Sequence, residues 1–190
     1  MRLAPITLAG AHALVLLAVA CSREPNSERA ATSPASDSAF AALQARGADP
    51  RAMGVDQYTS VHRFDALADG GRIELQRAIE DSAGVAQIRN HLRAIAGAFA
   101  SGDFATPAFV HLRQVPGTEV MTAKRSAITY TVRDLPRGAE LRITTRDPAA
   151  VAAVHEFMAF QRMDHRAGGS DHGADSAHHR TSVGEAHSPR

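Results

Sequence analysis

Histidine is the side chain with the widest chemical range in this sequence, which contains ten histidines but only one cysteine among 190 residues. Imidazole acts as a general base near neutral pH and is a common protein ligand for zinc and copper. Five histidines lie where apolar residues recur periodically, namely His62, His91, His111, His155 and His165. No two of these have the i, i+4 spacing that places two imidazoles on one helical face. A shared site therefore depends on the tertiary fold.

A second group of histidines lies near the C-terminus, where His172, His178, His179 and His187 are interleaved with aspartates. Residues 168–190 are otherwise mostly glycine, serine and charged residues, with almost nothing to bury, so we predict a disordered, histidine-rich tail. A tract of this composition either binds metal weakly or is a solvated segment that responds to pH. The sequence leaves both interpretations open.

Catalytic signatures are scarce. The sequence has no Gly-x-Ser-x-Gly, no phosphate-binding glycine loop and no His-Glu-x-x-His. An enzyme that uses His62 or His155 as a general base is therefore an alternative and not the leading interpretation. The charge is balanced, with 21 basic and 20 acidic residues. No strong field attracts a polyanion, so we expect no nucleic-acid partner.

The N-terminal segment has the layout of a secretory signal peptide, because the positive Arg2 precedes an apolar run over residues 6–20. The run ends in Leu-Ala-Val-Ala-Cys at 17–21, which resembles a bacterial lipobox. Acylation would occupy the thiol of Cys21, the only cysteine, and leave none for a disulfide, a metal site or a nucleophile.

These features predict an exported protein that meets the membrane only through a lipid anchor. We assign the signal peptide to 1–20, and the lipidated Cys21 with a polar tether to 21–50. The residue after the cysteine is Ser22 and not Asp, which resembles the sequence signal that directs a lipoprotein to the outer membrane of a Gram-negative cell. The protein would then face the periplasm. The alternative is a plain, cleaved signal peptide, which would leave the protein soluble in the periplasm.

Two similar blocks of sequence predict a globular domain at 51–167. Each block has the pattern strand, turn, strand and helix, and the two helices follow the N-cap residues Asp81 and Asp147. Strand residues alternate between apolar and polar, and the first helix has one apolar stripe. We therefore predict an α+β fold, a two-layer sandwich in which a four-stranded antiparallel sheet carries two helices on one face, from a duplicated strand-strand-helix unit. A long connection over 102–125 is expected to hold His111 in an extended piece.

The two blocks disagree at three positions if they are aligned 66 residues apart. At these positions His62 replaces Ile128, Gln161 replaces Ile95, and His165 replaces Phe99. A polar group in a dry core costs about 1–3 kcal/mol unless it has a partner. We therefore predict a ligand cavity between the sheet and the helices, lined by His62, His111, His155, Gln161 and His165. The alternative is a satisfied core histidine at position 62 and solvent-exposed side chains at 161 and 165.

Several short motifs together resemble a known group of proteins. They are Met-Gly-Val-Asp-Gln at 53–57, His62, Gly70-Gly71, Val-Pro-Gly-Thr at 115–118, Val-His-Glu-Phe at 154–157 and Asp164-His165. In this pattern the chain resembles a group of small, uncharacterised bacterial exported proteins of the lipoprotein type, which are sometimes named aspartate carbamoyltransferases. The resemblance implies a shared fold and no particular activity, since the Ser-Thr-Arg-Thr and His-Pro-x-Gln elements of true transcarbamoylases are missing.

The leading hypothesis is therefore a lipid-anchored periplasmic binding module. Its ligand is a small molecule or a transition metal, with zinc or copper bound by His62 and His165, or by His172, His178 and His179 of the tail. A structural or assembly lipoprotein is a further alternative, because Phe160 is expected about 120° from the core face of its helix and would be free for a protein partner. The sequence does not indicate an oligomeric state.

Overall fold

The computed structural model describes residues 36–171. The predicted signal peptide, the predicted lipidation site at Cys21 and most of the predicted tether lie outside these residues, as do His172, His178 and His179 of the tail. Within the described part of the chain, no helix is both long enough and apolar enough to cross a bilayer.

The centre of the fold is the predicted four-stranded antiparallel sheet, which the structure confirms. Its strands are β1 at Ser60–Leu67, β2 at Gly70–Arg77, β3 at Ile128–Leu135 and β4 at Gly138–Thr145. They follow the order β1-β2-β4-β3 across the sheet, so the two central strands come from different hairpins. Each hairpin closes through a two-residue turn, at 68–69 and 136–137.

Five α-helices accompany the sheet within the described residues, and the two longest cover its apolar face. Asp81 caps the longest helix by accepting a hydrogen bond from the backbone N–H of Gly84, and Asp147 caps the last helix in the same way. The helices are α1 at Asp37–Gly47, α2 at Ser82–Ser101, α3 at Ala105–His111, α4 at Thr118–Ala123 and α5 at Pro148–Asp164. Helices α2 and α5 supply Ile88, Leu92, Val154 and Phe157 to the core.

The prediction that His111 lies in an extended segment is wrong, because this residue is the last residue of helix α3. Pro107 lies in the first turn of α3, where a missing backbone N–H is tolerated. Helix α3 ends where Leu112 adopts a left-handed conformation at φ 52°.

The predicted exposure of Phe160 is also wrong, since its side chain is only 3% exposed. Its ring packs edge-on against His111 at 4.9 Å, and the guanidinium of Arg113 lies over it at 4.6 Å. The connection after α2 folds back over this side of α5, which sequence periodicity alone treats as solvent-facing. Phe160 is therefore part of the core and offers no patch for a partner.

Helix α1 brings the packed structure further toward the N-terminus than the predicted boundary at residue 51. Leu43 and Gln44 are buried, and the guanidinium Nε of Arg46 donates to the carbonyl oxygen of Val110 over 2.6 Å. The part of the predicted tether that follows Ser36 is thus a helix packed on the domain.

The predicted duplication of the strand-strand-helix unit stays a prediction. The two hairpin turns lie 68 residues apart, at 68–69 and 136–137, whereas the helix N-caps Asp81 and Asp147 lie 66 apart. No single offset relates the two halves. In strand register the counterpart of His62 is consequently Tyr130 and not Ile128, although all three lie on the face that the helices cover.

Residues 168–171 were predicted to belong to the disordered tail, but they pair in parallel with the outer edge of β1. The backbone N–H groups of Phe64 and Ala66 donate to the carbonyl oxygens of Gly168 and Ser170 over 2.9 and 2.8 Å. The hydroxyl of Ser170 also bonds to Asp65 over 3.1 Å. Strand β1 lies at the edge of the sheet, where backbone N–H and C=O groups have no neighbouring strand. Residues 168–171 cover part of that edge.

This pairing predicts a difference between two truncated chains. A chain ending at Ala167 should have a free energy of unfolding about 2 kcal/mol lower than one ending at Asp171, because each lost hydrogen bond contributes about 0.5–1.5 kcal/mol. Urea unfolding of the two chains measures the difference. Equal stability would mean that the four residues contribute nothing to the fold.

Candidate functional site

A cavity of about 90 Å³ lies between the sheet and helices α1, α2, α3 and α5. Its wall is mainly apolar and includes the aromatic rings of Phe64, Phe99 and Phe157. Four histidines interrupt this wall, namely His62, His91, His111 and His165. Pockets for small molecules typically combine an apolar wall with a few polar groups in this way.

Four of the five residues predicted to line a cavity do so, namely His62, His111, Gln161 and His165. The fifth, His155, is not among the lining residues. Its ring Nε2 lies 2.8 Å from the carbonyl oxygen of Leu67 at the far end of β1. Strand geometry places Leu67 about 17 Å along β1 from His62. His155 therefore fastens α5 to the end of a strand.

His165 lies where α5 ends, and Gln57 holds it at two points. The ring Nδ1 of His165 lies 2.8 Å from the amide oxygen of Gln57, and the amide nitrogen of Gln57 donates to the backbone oxygen of His165 over 2.5 Å. An amide oxygen accepts only, so Nδ1 carries the proton. In the neutral ring, Nε2 is then an acceptor.

His111 is fixed at both ring nitrogens. Nδ1 lies 2.5 Å from a carboxylate oxygen of Asp164, and Nε2 lies 3.1 Å from the amide oxygen of Gln161. Burial acts to raise the pKa of Asp164, but the hydrogen bond and positive charge of His111 outweigh it, so that pKa lies below its ordinary value. With both nitrogens engaged, the ring orients Gln161 and has no free nitrogen for a ligand.

Two nitrogens in the cavity wall have no hydrogen-bond partner among the described residues. They are Nε2 of His62 and the amide Nε2 of Gln44, in side chains that are 8% and 5% exposed. An unsatisfied buried polar group costs about 1–3 kcal/mol. Both residues line the cavity, so a bound molecule is the partner that would remove this cost.

Burial keeps three imidazoles of the cavity wall, those of His62, His91 and His165, neutral at neutral pH. Burial lowers the pKa of His62 from 6.5 to about 4, and the charge of His91 lowers it further. The pKa of His91 is likewise lowered to about 4, mainly by burial. Burial, and after it the charges of His111 and His62, hold the pKa of His165 well below 6.5.

The predicted metal site receives limited geometric support. The ring centroids of His62 and His165 lie 5.8 Å apart, and those of His165 and His111 lie 5.0 Å apart. Within residues 36–171, no group of three His, Cys, Asp or Glu side chains is arranged to hold a metal ion. Zinc or copper at His62 and His165 stays a prediction, with two imidazoles as its ligands.

A second, more polar depression of about 380 Å³ adjoins the cavity on the outer side of α2. The two share wall residues, including Ala52, Met53, His91 and Ile95. Gln87 and Asn90 line only the outer depression. The segment that carries Ala52 and Met53 thus forms a thin wall between the cavity and the surface.

Two residues of the site, Gln44 and Gln57, were missed from sequence, and His91 was noted among the histidines of interest but not predicted to line the cavity. Gln44 lies in the predicted tether. A signal existed for Gln57, because it ends the Met-Gly-Val-Asp-Gln motif that was noted together with Asp164-His165. The structure joins these two motifs through the bond between Gln57 and His165.

The glycines of the same motifs have packing roles around α5. A Cβ on Gly71 would lie 2.7 Å from the methyl carbon of Met158, and one on Gly117 would lie 2.1 Å from the backbone oxygen of Ala153. Each glycine therefore allows a close approach to α5.

Comparison with protein-family models, with curated proteins and with solved structures finds no match for this chain.

Proposed function

We propose that this protein is an exported, lipid-anchored binding module that holds a small molecule in the histidine-lined cavity. The observation that carries the proposal is the convergence of His62, His165 and Gln161 on one mainly apolar cavity. Export and anchoring rest on the N-terminal pattern that ends at Cys21. Loss of membrane association on Cys21→Ala would test the anchor.

A small organic ligand agrees better with the wall of the cavity than a metal ion does. Both ring nitrogens of His111 and the Nδ1 of His165 already have partners. A divalent cation would enter a mainly apolar cavity with few ligands to compensate for its lost hydration. Titrating the full chain with zinc and with copper, with and without His62→Ala and His165→Ala, tests the metal alternative.

The enzymatic alternative has one supporting feature, the pairing of Asp164 with His111. A carboxylate often orients an imidazole in this way in catalytic sites. Here the other nitrogen faces Gln161 and not the cavity. Of the two general bases proposed from sequence, His155 bonds to backbone and His62 has no carboxylate to orient it within the described residues. Binding is therefore the better-supported function.

Enlarging a side chain of the cavity wall tests the proposal. Ala52→Leu should weaken binding of small aromatic and aliphatic fragments at least tenfold, because Ala52 lines the cavity and a larger side chain there would reduce the space for a ligand. Two-dimensional NMR of the labelled full chain, titrated with a fragment set, identifies binders through shifts of cavity residues. Fragments that bind equally well to both proteins would place their site elsewhere.

The matched control is Ala100→Leu. Ala100 is an exposed alanine of α2 that lines neither the cavity nor the outer depression. The same increase in side-chain size there should leave fragment binding unchanged. Failure of every fragment to shift any cavity residue would contradict the proposed function.

A further inference from the structure

We infer that the ligand is a small, uncharged alcohol or phenol, whose hydroxyl group bonds to polar groups of the cavity wall. The inference rests on the proposed function, since it concerns the same cavity. It follows from the hydrogen-bonding capacity of three groups, the amide of Gln44 and the rings of His62 and His165.

The three groups offer both kinds of hydrogen-bonding site. The unpaired amide nitrogen of Gln44 can only donate. The Nε2 of His165 can only accept, because its Nδ1 donates to Gln57. The unpaired Nε2 of His62 donates or accepts, according to which ring nitrogen carries the proton.

A hydroxyl group matches this combination better than other small polar groups. It accepts from an amide N–H and donates to an imidazole lone pair with the same oxygen atom. A carbonyl or ether oxygen only accepts, so it would leave the acceptor of His165 without a donor. A carboxylate would carry a charge into a cavity whose imidazoles His62, His91 and His165 are held neutral.

The remaining wall sets the size and shape of the rest of the ligand. Phe64, Phe99 and Phe157 line the cavity, and aromatic pairs prefer edge-to-face or offset contacts of the kind already present between Phe99 and Phe157. The volume of about 90 Å³ is smaller than the roughly 150 Å³ of an engineered cavity that binds benzene. The cavity can therefore enclose a short aliphatic chain, and a single ring is the upper limit, because part of the ring would extend beyond the enclosed volume.

Helix α1 completes this site. Gln44 and Leu43 are its buried residues, and both line the cavity. The same helix is held to the rest of the domain by the bond from Arg46 to the carbonyl oxygen of Val110 and by Arg166, which pairs with Asp37 and lies over Phe40. The helix that supplies a donor for the hydroxyl is thus also the helix nearest to the tether.

Phenol and fluorobenzene form a matched pair of probes, because both are single rings of similar size and only phenol has a hydroxyl group. Each is titrated by NMR into the full chain carrying Cys21→Ala, which prevents acylation. Phenol should bind at least tenfold more tightly than fluorobenzene, with the largest shifts at Gln44, His62 and His165. Gln44→Met, which keeps the shape of the side chain but removes the donor, should reduce this preference at least threefold.

The stability of the Gln44→Met protein serves as an internal check. Because the substitution removes an unpaired polar nitrogen, the melting temperature without probe should not fall, so weaker phenol binding would not reflect misfolding. Gln114→Met, at an exposed glutamine outside the cavity, should leave the preference for phenol unchanged.

Equal binding of both probes would overturn the hydroxyl inference and leave the binding function intact. If neither probe binds while other fragments do, the inference also fails; if no fragment binds at all, both proposals fail.

Discussion

Acidification from about pH 7 to about pH 4 should lower the free energy of unfolding, and His62 alone should contribute about 3 kcal/mol of the loss. The pKa of His62 is lowered from 6.5 to about 4 in the folded protein, mainly by burial. Between these two values the unfolded chain binds more protons than the folded one. Stability is therefore fully present above about pH 6.5 and falls as the pH drops toward 4.

The charged groups around the cavity do not reverse this direction. His91 and His165 also have lowered pKa values, so both add to the loss at low pH. Asp164, which contacts the cavity wall through His111, has a lowered pKa, so its own titration also lowers stability as the pH falls. Protonating three imidazoles around one apolar cavity would therefore create repulsion that a single carboxylate cannot balance.

Urea unfolding at several pH values measures the effect. His62→Leu should flatten the dependence between about pH 6.5 and pH 4 by about 3 kcal/mol, while changing stability little at pH 7, because the ring it removes is neutral and has an unpaired nitrogen. Gln114→Leu, at an exposed residue outside the cavity that does not titrate, serves as the comparison and should leave the slope unchanged. An identical slope for wild type and His62→Leu would show that His62 is not held neutral.

Asp164→Asn should lower the free energy of unfolding by about 2–3 kcal/mol, because the buried ring of His111 bonds to a charged carboxylate and such a hydrogen bond contributes about 1.5–3 kcal/mol. The ring of His111 is 1% exposed and its partner carboxylate is 13% exposed, so water cannot replace the lost carboxylate. The loss should extend to the cavity, because His111 also positions Gln161. Urea unfolding and NMR shifts of Gln161 together measure both effects.

Asp134→Asn is the matched control for that substitution. Asp134 is 44% exposed and pairs with Arg89 and Arg93 at the surface. Surface ion pairs contribute at most about 1 kcal/mol, so this change should be nearly neutral. Similar losses for both variants would mean that the pair of Asp164 and His111 is no stronger than a surface pair.

The sequence predicted much of the cavity wall from one kind of observation, the differences between the two halves of the domain. His62, Gln161 and His165 were singled out because polar residues occupied positions where the other half of the domain is apolar, and all three line the cavity. That reasoning succeeded although the alignment behind it was shifted by two residues in the strands. A shift of two keeps a strand residue on the same face of the sheet, so His62 was still predicted to face inward.

Sequence patterns were misleading for His155, for Phe160 and for the conformation of the segment around His111, in each case because of a contact distant in sequence. His155 is near the boundary of the apolar stripe, but the backbone of Leu67 captures its ring, 88 residues earlier in the chain. The environments of His111 and Phe160 depend on how the segment after α2 folds back over α5. No local pattern specifies that path.

The sequence by itself determined the α+β fold and its antiparallel sheet, because strand and helix periodicities and N-caps are properties of neighbouring residues. Tertiary structure alone decided the chemistry of the cavity. The bond from Gln57 to His165 joins residues 108 apart in the chain, and that from His111 to Gln161 joins residues 50 apart. Which nitrogen is an acceptor, which is unpaired and which ring stays neutral depend on burial and on partners that only the folded chain brings together.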